Sequence, residues 1–334
     1  MKELIDRGFI QQATDLELLS ELFARGEIPS AYVGFDCTAS SLHVGSLLQI
    51  MALRHLEKSG VQPIVLLGGA TTRIGDPTGK DETRKALNDL QILANMLLIR
   101  KVFKRYLANP IIVNNSNWWD SKGYIEVLQE IGKHFSIGQM LGKESVRQRL
   151  ERKAPFNFVE FNYMIFQAYD FVHLKSVHNC RLQIGGSDQW GNIVSGVELH
   201  RRMHGQEEGR AAQSDWHKTD GVFGLTTPLI TTASGTKMGK TAQGAIWLDA
   251  DLLSPYDYWQ FWRNTHDDDV ERFLLFFTEI DAEEIKCELP KVKNSNAIND
   301  WKKRLAHETT KMLHGEQAAL LAAEEAAKKY RKKT

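Results

Sequence analysis

A histidine and a glycine lie where a predicted strand gives way to a predicted helix. His43 and Gly45 belong to the run Leu42-His43-Val44-Gly45-Ser46, which follows a short apolar segment at residues 32–37. A helix start presents free backbone N–H groups and the positive end of the helix dipole, so phosphate oxygens bind there. The imidazole adds a donor, and the glycine lets a flat base approach the backbone. The pattern indicates a nucleotide site, although an isolated histidine here is more often a plain helix cap.

Two lysines three residues apart form a second motif, far along the chain. Lys237 and Lys240 lie in Lys237-Met238-Gly239-Lys240-Thr241 and are flanked by Gly235 and Gly244. A flexible loop with two ammonium groups can close over a polyphosphate and supply positive charge in the transition state. Alone, the motif is more often a solvated surface turn. No GxGxxG or GxxxxGK[ST] pattern is present, which disfavours dinucleotide and P-loop sites.

The segments that must position these motifs alternate between strand and helix. Residues 32–37 read as a strand, 43–58 as a helix and 63–67 as a buried parallel strand. A long apolar helix near 156–174 leads into a further strand at 180–184. The pattern predicts an α/β fold with a Rossmann-like doubly wound parallel sheet, whose ligands bind beyond the carboxyl ends of the strands. Near the start, Thr14 is expected to cap a helix.

The pattern also predicts how the chain divides. We expect a catalytic Rossmann-like domain at 1–230, with a helical insertion at about 118–153 that packs on itself or on a partner. A mobile KMGKT loop and linker follow at 231–250, and an all-α domain at 251–334 completes the chain.

Composition excludes several classes of protein. The 334 residues are 42% apolar and carry 42 basic and 42 acidic side chains, which suits a soluble chain of about two domains. Zero net charge argues against coating nucleic acid by bulk electrostatics. No apolar run is long enough for a membrane span, and the acidic start does not match a signal peptide. Three scattered cysteines suit a reducing compartment, so we expect a cytoplasmic protein without a membrane partner.

Together the two motifs resemble the paired landmarks of class I aminoacyl-tRNA synthetases. Further segments resemble tyrosyl-tRNA synthetases of bacterial and organellar type, in order from about residue 4 to about residue 314. These segments are Tyr32-Val33-Gly34-Phe35-Asp36, Gly68-Gly69-Ala70-Thr71, Ile74-Gly75-Asp76-Pro77-Thr78-Gly79-Lys80, Gly132-Lys133-His134-Phe135-Ser136, Phe161-Asn162-Tyr163, Gln167-Ala168-Tyr169-Asp170-Phe171 and residues 183–192.

The resemblance implies a tyrosine site. Residues matching Tyr32 and Asp170 hydrogen-bond the substrate phenol in that family, and residues matching Asp76, Tyr163 and Gln167 hold the α-ammonium group. Gln183 and Gln189 complete this implied site. The alternative for Asp170 is a structural carboxylate buried against an arginine or a helix end.

The resemblance also implies an ATP site and a set of catalytic residues. The implied ATP-binding residues, with Asp188 on the ribose hydroxyls and His43 near the phosphates, are Gly34, Asp36, Thr38, His43, Gly45, Ser46, Gly186, Asp188, Gln189 and Lys240. The implied catalytic residues, most of them cations that clamp the departing pyrophosphate, are His43, Lys80, Arg84, Lys237, Lys240 and Thr241. Ser46 stands where the family commonly has a second histidine, and Val33 replaces a cysteine found in some members.

The implied activity is a tyrosine-tRNA ligase that forms tyrosyl-adenylate from tyrosine and ATP and then charges the tRNA. The alternatives are a tryptophanyl-type synthetase, a small-molecule nucleotidyltransferase with the same helix start, and an RNA-binding scaffold without activity. Magnesium is expected with ATP, and no protein-bound metal or prosthetic group is predicted.

The resemblance also suggests a homodimer, because residues 132–140 match the subunit interface of the family. Family members usually carry a small RNA-binding module beyond the helical domain. Because this chain ends at Thr334 without one, we expect a fragment that activates tyrosine but charges tRNA weakly, the alternative being a naturally short enzyme.

Overall fold

The computed structural model describes residues 1–78, 87–204, 220–231, 238, 240–241, 244–293 and 295–331. Within these residues the strands are β1 (Gln12–Ala13), β2 (Ser30–Asp36), β3 (Gln62–Gly68), β4 (Ile111–Asn114), β5 (Leu182–Gly186), β6 (Phe223–Thr227), β7 (Lys240–Thr241) and β8 (Gly244–Ala245). The α-helices are α1 (Lys2–Asp6), α2 (Leu16–Ala24), α3 (Val44–Lys58), α4 (Gly69–Ile74), α5 (Asp89–Tyr106), α6 (Ser116–Trp119), α7 (Tyr124–Glu126), α8 (Ile137–Leu141), α9 (Glu144–Glu151), α10 (Phe158–His178), α11 (Trp190–His204), α12 (Pro255–Arg263), α13 (Val270–Phe277), α14 (Ala282–Val292), α15 (Ile298–His314) and α16 (Glu316–Arg331).

The main sheet is doubly wound, as the sequence predicts. Its strand order is β1-β6-β5-β2-β3-β4, and the pairs from β6 to β4 are parallel while β1 is antiparallel to β6. From β2 the chain passes through α3 to β3 and on to β4, and it later returns to the other side of β2 as β5. A crevice therefore opens beyond the carboxyl ends of β2 and β5, where the direction of winding reverses.

Strands β2 and β3 send alternate side chains to two separate cores. Val33 and Phe35 of β2 belong to the core that also contains α3, α5 and the helices after residue 255. Tyr32 and Leu66 belong to the opposite core, which α10 covers with residues such as Phe171. The pairing of Tyr32 with Gln183 on β5 places both side chains in neighbouring positions of the sheet. The helix α10 is therefore the element that faces them.

Local capping chemistry explains where the helices begin. Asn157 caps α10 in a capping box with Glu160, and Glu160 pairs with the buried Arg149 at 3.0 Å. The prediction for the first long helix was wrong, because Asp15 rather than Thr14 caps α2. Thr14 instead continues the edge strand: its N–H donates to the Gly224 carbonyl at 3.0 Å and its Oγ1 accepts from the Gly224 N–H at 3.1 Å.

The helices from α12 onward form an all-helical region around buried aromatic rings. Trp262 lies 4.9 Å from Phe277 and 6.0 Å from Phe273 between ring centroids. The buried Arg7 joins the N-terminal segment to this region, since its guanidinium donates to the carbonyls of Leu275 at 3.0 Å, Thr278 at 3.1 Å and Ile280 at 2.7 Å. No helix in the described ranges combines the length and apolarity that crossing a membrane requires.

Replacing Arg7 with methionine should lower the free energy of unfolding by about 3 kcal/mol, because three buried carbonyl oxygens lose a charged donor. Urea unfolding followed by tryptophan fluorescence measures this change. Arg25→Met is the matched control, because the Arg25–Glu21 pair at 3.0 Å is half exposed on both sides and should contribute under about 0.5 kcal/mol. Equal losses for the two variants would contradict the role of Arg7.

Candidate functional site

A cleft of about 480 Å³ lies beyond the carboxyl ends of β2 and β5. Its lining includes all the tyrosine-site and ATP-site residues singled out from the sequence whose side chains the structure describes. These residues are Tyr32, Gly34, Asp36, Thr38, His43, Gly45, Ser46, Asp76, Tyr163, Gln167, Asp170, Gln183, Gly186, Asp188 and Gln189. Segments that are far apart in the chain therefore contribute to one site.

The predicted lysine motif is described only in part. Lys80, Arg84 and Lys237 lie outside the described residues, and for Lys240 and Thr241 only the backbone is described, in β7 paired with β8. The surrounding backbone nevertheless runs beside the first motif. The Val44 N–H donates to the Ile246 carbonyl at 3.0 Å, and the Leu248 N–H donates to the Leu42 carbonyl at 2.9 Å. The fold thus brings the neighbourhoods of the two motifs together.

The buried end of the cleft contains a carboxylate held by neutral donors. Oδ1 of Asp170 accepts from the indole N–H groups of Trp118 at 2.9 Å and Trp119 at 2.7 Å. Oδ2 accepts from the side-chain amide of Asn115 at 3.0 Å. Asp170 is 2% exposed, and none of these three donors carries a positive charge. The arginine or helix end considered as its structural partner is thus not what holds this carboxylate.

Burial makes the ionised form of this carboxylate costly. It raises the pKa of Asp170 from 3.8 to about 7, against the three hydrogen bonds that lower it, and the charge of Asp36 raises it further. The pKa of the Tyr32 phenol is raised well above its usual value by burial and then by Asp170 and Cys180. The Tyr32 hydroxyl therefore stays neutral, while the Asp170 carboxyl group has a pKa near neutral pH.

Within the part of the chain that the structure describes, three buried polar atoms in the cleft have no hydrogen-bond partner. They are the Tyr32 hydroxyl, Oε1 of Gln167 and Oε1 of Gln183. A buried polar atom without a partner costs roughly 1–3 kcal/mol, so such atoms are uncommon in folded proteins. Three of them around one cleft, next to Asp170, are typical of a site built for a polar ligand.

The middle of the cleft carries two carboxylates. Oδ2 of Asp76 accepts from the Gln189 amide at 2.8 Å, and its Oδ1 accepts from the Thr78 backbone N–H at 2.9 Å. Oδ1 of Asp36 accepts from the Thr71 hydroxyl at 2.8 Å, and its Oδ2 accepts from the Tyr163 hydroxyl at 3.3 Å. These fixed negative groups can bind a cationic ammonium group.

The outer end of the cleft is the start of α3. His43 is the N-cap, and its Nδ1 accepts from the Gly45 N–H at 3.0 Å. The cap expected for an isolated histidine is thus present, and the ring also lines the cleft. A side chain at Gly45 would lie 2.6 Å from the His43 ring and 3.2 Å from the Met238 carbonyl. Only glycine lets the lysine-motif segment and the cap approach the helix start so closely.

Asn115, Trp118 and Trp119 are site residues that the sequence analysis missed. Trp118 and Trp119 were assigned only to the helical insertion at about 118–153, although all three residues lie within five positions of the end of β4. A polar residue and paired tryptophans just beyond the carboxyl end of a parallel strand are the signal that could have found them.

Known proteins resemble the chain over nearly its whole length. The family described as tRNA synthetases class I (W and Y) matches residues 25–331. A tyrosine--tRNA ligase from Xanthobacter autotrophicus is 55% identical over 97% of this chain and 74% of its own length, and one from Rhodospirillum rubrum is 54% identical over 97% and 75%. A C-terminally truncated mitochondrial tyrosyl-tRNA synthetase from Aspergillus nidulans superposes with a TM-score of 0.85 at 32% identity, covering 98% of this chain and 93% of that one.

The difference in stability between an Asp170→Asn variant and the wild type should increase, in favour of the variant, as the pH rises. The pKa of Asp170 rises from 3.8 to about 7 on folding, so the wild type takes up a proton as it folds between these values and loses stability as pH rises through this window. The variant lacks this loss. Its free energy of unfolding minus that of the wild type should therefore increase by a few kcal/mol between pH 4.5 and pH 7.5, on the order of 1.4 kcal/mol per unit.

Urea unfolding at both pH values measures this difference. Asp300→Asn, a change at an exposed helical position, should alter the free energy of unfolding by under about 0.5 kcal/mol at either pH. A difference for Asp170→Asn that stays constant across the window would show that the carboxyl group is not destabilised by burial.

Proposed function

The chain belongs to the class I tyrosyl-tRNA synthetases of bacterial and mitochondrial type, and we propose that the cleft beyond β2 and β5 is where it binds tyrosine and ATP. It is an ATP-dependent ligase that converts L-tyrosine and ATP to tyrosyl-adenylate and pyrophosphate and then transfers tyrosine to the 3′ end of its tRNA. The observation that carries the site assignment is the buried Tyr32 hydroxyl, which has no hydrogen-bond partner among the described residues and whose pKa the charge of Asp170 helps to raise.

The substrate phenol lies between Tyr32 and Asp170. Its oxygen accepts a hydrogen bond from the Tyr32 hydroxyl, and its O–H donates to the Asp170 carboxylate. Phenylalanine would leave both buried groups unpaired in the bound state, so it binds far more weakly. The α-ammonium group lies near Asp76, Tyr163 and Gln167, where the fixed carboxylate of Asp76 attracts it. Gln183 and Gln189 complete the polar lining.

ATP occupies the outer end of the cleft. Its base and ribose lie near Gly34, Thr38, Gly45, Gly186 and Gln189, with Asp188 accepting from the ribose hydroxyls. Its phosphates lie at the start of α3, near His43 and Ser46. Since Nδ1 of His43 accepts from Gly45, the neutral ring carries its proton on Nε2, which is the atom that can donate toward a phosphate oxygen. We also place Asp36, which Thr71 and Tyr163 hold, among the ATP-binding residues.

The activation step needs no general base, because the tyrosine carboxylate is already an anion at neutral pH. One carboxylate oxygen attacks the α-phosphorus in line while the bond from that phosphorus to the bridging oxygen breaks, and pyrophosphate leaves with the electron pair. Lys80, Arg84, Lys237 and Lys240, with Thr241, neutralise the charge that develops on it. Each such charge-assisted contact made only in the transition state contributes roughly 10- to 200-fold in rate.

Magnesium accompanies ATP as part of the substrate. The ion usually keeps several waters and binds phosphate oxygens rather than a full cage of protein ligands. Among the described side chains no cluster of three or more histidine, cysteine, aspartate or glutamate residues is placed to hold a metal. We assign its ligands to the triphosphate and water, because Mg²⁺ prefers phosphate oxygens and gives up its waters reluctantly.

A tryptophan substrate fits this cleft less well. The matched family covers enzymes for both amino acids, but an indole ring has no hydroxyl to pair with Tyr32 and Asp170. The relatives that are 50–55% identical are tyrosine ligases. A small-molecule nucleotidyltransferase would not need the helices after residue 255.

We assign residues 1–230 to catalysis, 231–250 to the lysine motif and linker, and 251–334 to recognition of tRNA. A cavity of about 980 Å³ among α12, α15 and α16 supports this last assignment. Its lining combines cationic and aromatic groups, which suits phosphates and bases: Arg263, Lys303, Arg304 and His307 with Trp259.

Free cysteines at positions 37, 180 and 287 support a reducing, cytoplasmic location.

We further propose that the enzyme is a homodimer, formed through residues 124–159. Large apolar side chains in this stretch are 43–69% exposed: Tyr124, Ile125, Leu128, Ile137, Leu141, Leu150, Phe158 and Val159. So much exposed apolar surface is unusual for a monomer and typical of an interface. A cavity of about 400 Å³ lined by His134, Phe135 and Met140 adjoins it.

The Tyr32→Phe variant tests the tyrosine site through tyrosine-dependent exchange of pyrophosphate into ATP. The KM for tyrosine should rise roughly five- to ten-fold, the KM for ATP should stay unchanged, and the preference for tyrosine over phenylalanine should narrow. The free energy of unfolding should not fall, because the deleted hydroxyl has no partner.

Tyr106→Phe is the matched control, because it removes an equally buried hydroxyl outside the cleft. It should leave both KM values unchanged. Exchange by the wild type that does not depend on tyrosine would overturn the proposed function.

An Ile137→Asp variant tests the dimer, because it places a charge on the exposed apolar stretch. Sedimentation at micromolar concentration should show the wild type at twice the 38.0 kDa chain mass and the variant at the chain mass. Leu320→Asp, which changes a similarly exposed leucine on α16, should leave the dimer intact. A wild type that sediments at the chain mass contradicts the proposal.

A further inference from the structure

Two tryptophan side chains donate to the same oxygen of Asp170. The indole N–H groups of Trp118 and Trp119 reach Oδ1 at 2.9 and 2.7 Å, while the Asn115 amide reaches Oδ2 at 3.0 Å. A carboxylate oxygen has about two lone-pair sites. Oδ1 is therefore saturated, and Oδ2 retains one site for a further donor.

An indole N–H is a donor only, so neither tryptophan can reverse its hydrogen bond as a hydroxyl or amide could. Both donors favour the ionised carboxylate over the protonated one. They therefore oppose the effect of burial and keep the group an acceptor.

Packing fixes the Trp119 ring in this orientation. Its centroid lies 4.1 Å from that of Phe166 and 5.2 Å from that of Tyr169, and the Lys122 ammonium lies over Tyr169 at 5.2 Å. Trp118 stacks on His173 at 4.2 Å. Both indoles thus pack against rings of α10, and each presents its N–H to the same oxygen.

We propose that Trp119 is a positioning residue that sets amino-acid specificity, because its N–H fills the second acceptor site of Asp170 Oδ1 and leaves Oδ2 as the acceptor for the substrate ring hydroxyl. This inference rests on the proposed binding of tyrosine. Without the Trp119 N–H, the carboxyl group has one free site on each oxygen and can take the ring hydroxyl in two orientations. Its ionised form is also less stabilised.

Several titratable or charged groups surround this cluster. Tyr32 and Asp36 face Asp170 from β2, His173 lies on the same helix behind Trp118, and Lys122 lies beyond Tyr169. Burial lowers the pKa of His173 from its usual value. The pKa of Tyr32 is raised well above its usual value, whereas burial raises the pKa of Asp170 to about 7.

The Trp119→Phe variant keeps an aromatic ring and removes the N–H. In tyrosine-dependent pyrophosphate exchange at pH 7, its KM for tyrosine should rise roughly ten-fold, while kcat at saturating tyrosine stays within about two-fold and the KM for ATP is unchanged. The defect should shrink toward pH 8.5, where the carboxyl group ionises without help. A KM for tyrosine that follows the wild-type pH profile would overturn the inference.

Phe166→Leu is the matched control, because it loosens the packing of Trp119 but keeps its N–H. It should lower stability without moving the pH profile of KM. A wild type that shows no tyrosine-dependent exchange would instead refute the proposed function, so failure of the function and failure of this inference give different results.

A measurement on the wild type covers the case in which Trp119→Phe does not fold. In protein labelled with 15N-tryptophan, two of the eight indole signals should shift together with a midpoint near pH 7 and should cease to titrate in this range when tyrosine is bound. The absence of two such coupled signals would contradict the shared contact with Asp170.

Discussion

The site depends on one buried carboxylate whose hydrogen-bond donors are all neutral. Asp170 is held by Asn115, Trp118 and Trp119, so its position is fixed but its charge is not compensated. A cation at this place would have given a stable structural ion pair. Neutral donors instead leave the carboxyl group with a raised pKa and with remaining capacity to accept. The protein thus tolerates a locally unfavourable group that a ligand hydroxyl can satisfy.

The fold explains why this carboxylate and the helix start share one cleft. Winding reverses between β2 and β5, and both strands end at the same edge. Tyr32, Asp36 and the His43 cap therefore come from one strand and the turn after it, while α10, which covers the face to which Tyr32 points, contributes Asp170. An elongated ligand with a polar ring at one end and phosphates at the other matches this arrangement, which agrees with the tyrosine ligases that the chain resembles.

The sequence predicted the parts of the structure that depend on local pattern. The doubly wound sheet follows from alternating strand and helix segments, whereas the predicted site residues came from the resemblance of ordered motifs to a known family. The contacts of Trp119 could not be predicted, since they depend on how the segment after β4 packs against α10. The prediction that Thr14 caps α2 was wrong for a similar reason. Pairing with Gly224 holds Thr14 in the edge strand instead. His43 is both the N-cap of α3 and part of the cleft lining, so the interpretation as a helix cap and the interpretation as a binding residue are compatible.

A crystal structure of the protein with bound tyrosine tests the central claim most directly. We predict that the ring oxygen lies about 3 Å from both the Tyr32 hydroxyl and Oδ2 of Asp170, with the ammonium group beside Asp76. A tyrosine bound in the reverse direction, or outside the space between Tyr32 and Asp170, would contradict it.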